Sequence, residues 1–267
     1  MRTRRLKAPG AACVLLVAAS GCAPRLAPLP TGPGTPAADA RTRLAQAVEA
    51  CRGVRTLIGV ASLSGRAGGT RLRGSIEVGL AEPGRARLEA PGPFGSRPIF
   101  VFVARDAAAT LLLPRDRRVL RHASPEAVVD ALAGVSLGPD QLRTALSGCG
   151  LGSGPPGSGR SYGSDWLAVD EGNAVQWLRR SDDRWRLVAS VAGALEVRYS
   201  DFAAGRPSTI RIRRGSDERT DLVLRLSQVD LNVPIEPAAF ELEIPPDAQP
   251  MTLEELRRAG PLGEGLQ

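Results

Sequence analysis

From residue 57 onward, apolar and polar side chains alternate with a period of two in short runs, each cut by Gly, Pro or Asp. Ile210-Arg211-Ile212-Arg213 is the clearest case: on a strand, both isoleucines fall on one face and both arginines on the other. Such a pattern excludes a helical bundle and a polytopic helical membrane protein. Runs of this kind occupy residues 57–63, 71–80, 85–90, 99–105, 110–113 and 119–122, then 166–170, 174–179, 185–191, 195–202, 209–213 and 222–230. They predict an antiparallel sheet of about ten to eleven strands with one wet face.

Helical spacing appears at the start and in the middle. Leu44, Ala47, Val48 and Cys51 fall at i, i+3, i+4 and i+7 within residues 39–53, which predicts one amphipathic helix. Ser124-Pro125-Glu126 opens a second, with Ser124 as N-cap and Pro125 in the first turn. Pro139-Asp140-Gln141 opens a third, which carries Leu142, Ala145 and Leu146 to Gly148. Residues 148–164 are rich in Gly and Ser and read as a flexible connection. The expected class is α+β: one domain over residues 39–246, with a curved sheet closing around helices. Residues 247–267 form a tail with a short helix after Thr252.

The first 21 residues read as a signal peptide, with Arg2, Arg4, Arg5 and Lys7 before the apolar stretch 11–19. Ser20-Gly21-Cys22 resembles the end of a bacterial lipobox, which would make Cys22 the diacylated first residue of the mature chain. Ala23 follows rather than Asp, so the outer membrane is the expected destination, with the domain facing the periplasm. Those four leader cations supply more than half of the net charge of +7, and nucleic-acid binding loses its electrostatic motive. Residues 22–38 are Pro-rich and read as an extended tether of roughly 45 Å. Cys51 and Cys149 remain, and an oxidising compartment predicts that they pair.

Chemical motifs are few. Residues 159–163 match G-x-S-x-G around Ser161, yet the only His, His122, lies upstream, and no strand-turn-helix context surrounds the match. Residues 152–157 match G-x-G-x-x-G, but Pro155 and Pro156 occupy the place of a phosphate-binding helix start. Asp182 and Asp183 suit a hairpin turn better than acid–base work. One His and four Cys leave no basis for a metal site. No catalytic residue, metal or cofactor is expected, and the chain is not read as an enzyme. Arg206, Arg211, Arg213, Arg214 and Arg219 form a basic cluster with two readings, a solvated face partnered by nearby acids or a headgroup-facing patch.

Aromatic residues make up only 4% of the chain, so Phe94 stands out in the Gly/Pro loop 90–98 between two predicted strands. It either folds back under the sheet or forms an exposed apolar tip.

Several strings together resemble the LolA/LolB family of periplasmic lipoprotein carriers and receptors, most of all its outer-membrane insertase branch, LolB. They are the lipobox at Cys22, Arg87-Leu88-Glu89-Ala90 with Pro93-Phe94-Gly95-Ser96, residues 134–142, Asp230-Leu231-Asn232-Val233-Pro234-Ile235 and residues 240–245. The resemblance implies an incomplete, half-open antiparallel β-barrel with covering helices and an apolar cavity for acyl chains. It also implies that Phe94 and Gly95 form the membrane or transfer loop. Phe100 and Phe102, with Trp166, Trp177 and Leu224, are the candidate cavity lining, with the opposite parity of Ile99, Val101 and Val103 left open. The implied function is to accept lipoprotein acyl chains or phospholipid from a LolA-like carrier and help insert them into the outer membrane, as a monomer. The alternative is a structural or interaction lipoprotein that binds an envelope partner without lipid transfer.

Overall fold

The computed structural model describes residues 26–93, 96–215 and 220–260. A two-residue strand, β1 (Thr35–Pro36), precedes two short helices, α1 (Ala40–Ala47) and α2 (Glu49–Arg52). Six strands follow: β2 (Thr56–Ala67), β3 (Thr70–Ala81), β4 (Arg85–Ala90), β5 (Phe100–Arg105), β6 (Ala108–Leu113) and β7 (Arg118–Ala123). Helices α3 (Pro125–Ala133) and α4 (Pro139–Ser147) then interrupt the strands. The sheet resumes with β8 (Pro156–Tyr162), β9 (Trp166–Glu171), β10 (Ala174–Ser181), β11 (Arg184–Ala192), β12 (Leu195–Ala203), β13 (Arg206–Arg214) and β14 (Thr220–Leu231). A 3-10 turn (Pro237–Phe240), β15 (Gln249–Pro250) and α5 (Leu253–Ala259) follow.

All these strands join one open 15-stranded sheet in the order β1-β8-β9-β10-β11-β12-β13-β14-β2-β3-β4-β5-β6-β7-β15. Every pairing is antiparallel except that of β15 with β7. The count exceeds the ten to eleven expected; the alternating runs themselves number twelve, and each becomes a strand, which leaves three more among the described residues. Two of the additional strands, β1 and β15, are two-residue pairings made by Pro-containing segments that carry no alternation. The third, β8, comes from the Gly-rich stretch read as a flexible connection. Its glycines serve close approach: a Cβ on Gly159 would stand 2.4 Å from the Ala40 Cβ, so only Gly lets α1 lie directly on the strand.

The helices pack on one face of the sheet, here the inner face. Helix α1 lies on β8–β11, α4 on β13, β2, β3 and β4, and α3 on β6 and α5. Ser124 caps α3 by accepting from the Ala127 N–H at 3.2 Å, and Gly134 ends it at φ 70. The main core, between helices and sheet, includes Leu57, Leu80, Phe102, Leu111, Leu178, Val197 and Ile210. A smaller cluster lies on the opposite, outer face, where Phe240, Ile235 and Leu242 cover Ala81, Val101 and Val103.

Both ends of the described chain belong to this body. Residues 26–36, expected as part of a free tether, lie on the sheet: β1 pairs with β8, and the Tyr162 hydroxyl donates to the Gly32 carbonyl at 3.2 Å. Their prolines suit an extended segment that donates few hydrogen bonds and runs along an edge. Residues 249–259 pass round β7, where Met251 and Leu256 enter the main core. Thr252 and Glu255 form a capping box at the start of α5.

A disulfide joins Cys51, in α2, to Cys149, just after α4, with Cα atoms 5.6 Å apart. It bridges a sequence separation of 98 residues, a closure worth about 4–5 kcal/mol in the chain-entropy treatment.

Candidate functional site

The inner face is an apolar bed under a helical roof. Phe100 and Phe102 in β5, Leu167 and Val169 in β9, Leu178 in β10 and Ile210 in β13 all point to this side and are buried there. The alternation of β12 to β14 places Val197, Ile212 and Leu222 on the same side. Facing them, the helices contribute Leu44, Val128, Leu132, Leu142 and Leu146.

A polar latch fastens the roof. The Tyr199 hydroxyl donates to the Ala145 carbonyl and accepts from the Gly150 N–H, each at 3.1 Å. Burial pushes this phenol well above its ordinary pKa, with the Gly150 hydrogen bond opposing the shift. Ser190 Oγ accepts from the Leu151 N–H at 2.9 Å. Glu171 accepts from Arg52 at 3.0 Å and from Gln176 at 2.8 Å, and Gln176 also donates to the Cys149 carbonyl at 3.4 Å. Gly150 and Gly152 leave room for this network, since a Cβ on either would stand within 2.4 Å of a Gln176 or Glu171 side-chain oxygen.

Beside the latch the bed opens. A pocket of about 200 Å³ lies between the end of α4 and the ends of β12, β13, β14 and β2, lined by Leu57, Leu146, Ala203, Pro207, Leu226 and Leu231. An irregularity in β14 shapes it: the register with β2 shifts between Ser227 and Asp230, and Gln228 takes φ 50. The rim is polar, with Ser147, Arg206 and Gln228.

No protein-family model and no curated protein sequence matches the chain. Among solved structures, a LolA superfamily protein from Nitrosomonas europaea superposes with a TM-score of 0.51 at 12% identity, over 76% of this chain and 97% of that one. The fold is LolA-like. A DUF1329 family protein from Desulfovibrio piger gives a TM-score of 0.48 at 15% identity, over 78% of this chain and 98% of that one. The Mycobacterium tuberculosis lipoprotein LppX gives 0.33 at 12% identity, over 74% and 97%.

Within this LolA-like sheet the candidate lining residues separate. Phe100 and Phe102 lie on the inner face, as does Leu224, which packs against the main core opposite Leu63 and Ile210. Val101 and Val103 take the outer face beneath Phe240. Trp166 and Trp177 are corrections: they do not line the inner face. Leu167 and Val169 hold that side of β9, and Ala174 and Leu178 that side of β10, so strand parity turns both tryptophans outward. There the Arg179 guanidinium lies 5.4 Å from the Trp166 ring and Tyr162 lies 5.3 Å from Trp177. Their place in apolar runs suggested the cavity, but parity decides the face.

Cys22, Phe94 and Gly95 lie outside the described residues. The connection that carries Phe94 and Gly95 is closed at its neck, where the Ile99 N–H donates to the Ala90 carbonyl at 2.8 Å. Ser161 Oγ donates to the Thr35 carbonyl at 3.3 Å, a strand-edge contact, and Asp182 and Asp183 form the β10–β11 turn at φ 49 and 58. In the basic cluster, Arg211 binds both carboxylate oxygens of Asp221 and holds that carboxyl below its usual range, while Arg214 reaches Asp130 and the Gly134 carbonyl. These contacts fit the solvated, acid-partnered reading.

Two features escaped sequence reasoning. Tyr199 reads as one more inward strand residue, with no local sign that its hydroxyl ties down the roof. Phe240 heads the alternating string Phe240-Glu241-Leu242-Glu243-Ile244, which joins no strand; its alternate residues Phe240 and Leu242 instead cover the outer face of the sheet, a role that alternation alone does not reveal.

Proposed function

We propose that the chain is an outer-membrane lipoprotein, anchored through Cys22 and facing the periplasm. In this reading it accepts acyl chains of lipoproteins, or other lipids, between the inner sheet face and the helical roof. It then helps insert them into the outer membrane without catalysing a covalent step, as a LolB-like acceptor supplied by a LolA-like carrier. Phe94 and Gly95 are the proposed transfer residues.

One observation carries the reading: an extended apolar bed is covered by helices instead of strands. A helix satisfies most of its own backbone hydrogen bonds, so it can lift without breaking a sheet ladder. An acyl chain sliding beneath it replaces apolar roof contacts with apolar cargo contacts, and each methylene kept from water is worth about 0.8 kcal/mol. The pocket of about 200 Å³ is the mouth of such a site in its closed form, smaller than the roughly 300–1,000 Å³ of ligand pockets. Loading therefore requires the roof to move.

A second reading, an interaction lipoprotein, draws on the outer face. A pocket of about 380 Å³ there is lined by Ile58, Val60, Gly79, Ile235 and Phe240, with Ile58 36% exposed and Val233, also exposed, following β14.

Native mass spectrometry separates the two. The chain without its leader and Cys22, purified from the periplasm, should carry phospholipid or acylated peptide that solvent extraction releases. A clean apo mass, unchanged after incubation with lipoprotein, refutes the acceptor reading and favours the interaction module.

A further inference from the structure

The segment that would join the lipid anchor to the domain is fixed on the outer face. Arg198 donates to the Ala27 carbonyl, Tyr162 to the Gly32 carbonyl, and Thr35 and Pro36 pair with Ser161 and Arg160. Leu26 and Ala27 line a cleft of about 420 Å³ with Trp166, Arg179, Arg186 and Phe202. Trp166 pairs with Arg179 next to the β8–β9 turn, and Phe202 pairs with Pro207 next to the β12–β13 turn. The β10–β11 turn lies at this same end, since Ser181 pairs with Arg184 and the Arg180 N–H donates to the Asp165 carbonyl.

Covalent geometry then limits where the anchor can go. Four residues, 22–25, precede Leu26, and four residues span at most about 14 Å. Strand β11 has 9 residues, which makes it about 30 Å long. Lipid on Cys22 therefore stays near the end of the sheet where Leu26 sits.

We infer that the anchored protein rests on the lipid headgroup layer with this cleft and the β8–β9, β10–β11 and β12–β13 turns, so that the inner-face pocket opens toward the bilayer. The inference depends on the lipid-anchor reading above. The pocket residues Leu57, Ala203 and Leu231 lie at the same strand ends, because Leu231 pairs with Leu57 and Ala203 with Arg206. The cleft chemistry suits a headgroup layer: Arg179 stacks on Trp166 and Arg186 on Phe202, each at 5.4 Å, presenting amphipathic rings and cationic tips together. Asp183 pairs with Arg180 and Asp182 with Arg186, so the covalent anchor supplies the attachment and the patch supplies the fit.

The opposite end then faces the periplasm. Strand β4 starts beside the end of β3, where Ala81 pairs with Arg85, and runs away from the pocket, so the β4–β5 connection bearing Phe94 lies at the far end. The neck of that connection, Ala90 and Ile99, therefore stands at the end away from the headgroup layer, with the pocket mouth on the membrane side.

Nitroxide labels on the full-length lipidated protein in phosphatidylethanolamine–phosphatidylglycerol vesicles test the orientation. Labels go on Asp183→Cys in the near turn, and on Ser96→Cys and Ala194→Cys at the far end, with circular dichroism and the mass of the Cys22-containing peptide measured on each. Collision with a water-soluble nickel chelate should fall several-fold at position 183 on vesicle binding and stay unchanged at 96 and 194. Protection at 96 with free access at 183, in protein whose Cys22 carries diacylglycerol, overturns the orientation alone. An unmodified Cys22 overturns the orientation and the anchor reading together.

Discussion

Tyr199 and Gly150 meet in a 3.1 Å hydrogen bond that ties the chain after α4 to the middle of β12, and the same phenol donates to Ala145 on α4 itself. Removing the hydroxyl leaves the buried Gly150 N–H without its partner, while the Ala145 carbonyl still accepts from the Gly148 N–H. Tyr199→Phe should therefore cost about 1–3 kcal/mol in chemical denaturation, a loss at odds with the small size of the change. An unchanged midpoint would show that water replaces the latch.

The same phenol gives a signature at high pH. Its folded-state pKa is raised by burial, so the folded protein holds this proton more tightly than the unfolded chain does. The contribution is fully present below the unfolded tyrosine value of about 10 and declines as pH rises above it. Wild-type stability should fall above that pH, with a component missing in Tyr199→Phe. Equal slopes for the two proteins would argue against the shift.

At the acid side, the relevant pair is Arg211 and Asp221. The Arg211 hydrogen bond lowers the Asp221 pKa, with burial opposing it. Stability from this pair is present above the unfolded carboxylate value of about 3.9 and is lost as pH falls through the folded one. Asp221→Asn should flatten that part of the acid-unfolding profile, and urea titrations at several acid pH values would measure it.

Gly159→Val should pry α1 from β8. Its new side chain starts 2.4 Å from the Ala40 Cβ and 2.9 Å from the Ala37 carbonyl oxygen. Overpacking of this kind costs about 1–3 kcal/mol, read as a lowered thermal midpoint. A neutral result would mean that α1 shifts freely on the strand.

For function, Phe94→Glu should abolish lipoprotein transfer while leaving the circular dichroism spectrum and the thermal midpoint unchanged. Transfer at the wild-type rate removes the loop from the proposed mechanism.

Strand alternation carried much of the architecture. Ile210 and Ile212 are buried while Arg211 and Arg213 face outward, as the period of two requires, and Ser124-Pro125 marks the start of α3. Short-range chemistry specifies these features. The inward side of a strand is a different matter when both faces carry apolar groups. Trp166 and Trp177 could serve either side, and only their pairing with neighbours places them outside. The segments at the edges and the strand beside one of them were illegible for another reason: Thr35–Pro36, residues 156–162 and Gln249–Pro250 carry no periodicity of their own. Of the candidate site, the sheet side could be read through Phe100, Phe102 and Leu224, whereas the roof latch depends on contacts made only once α4 has docked.

The two outermost strands share a property with a wider consequence. β1 ends at Pro36 and β15 at Pro250, and each is only two residues long. A long open sheet offers unpaired backbone at both margins, a template on which further copies could stack into aggregates. Here each margin ends in a short stub containing a residue that has no N–H to offer, which blunts edge-to-edge growth. An open sheet must keep its own backbone from becoming a surface for assembly, and these two prolines do so without closing the sheet into a barrel.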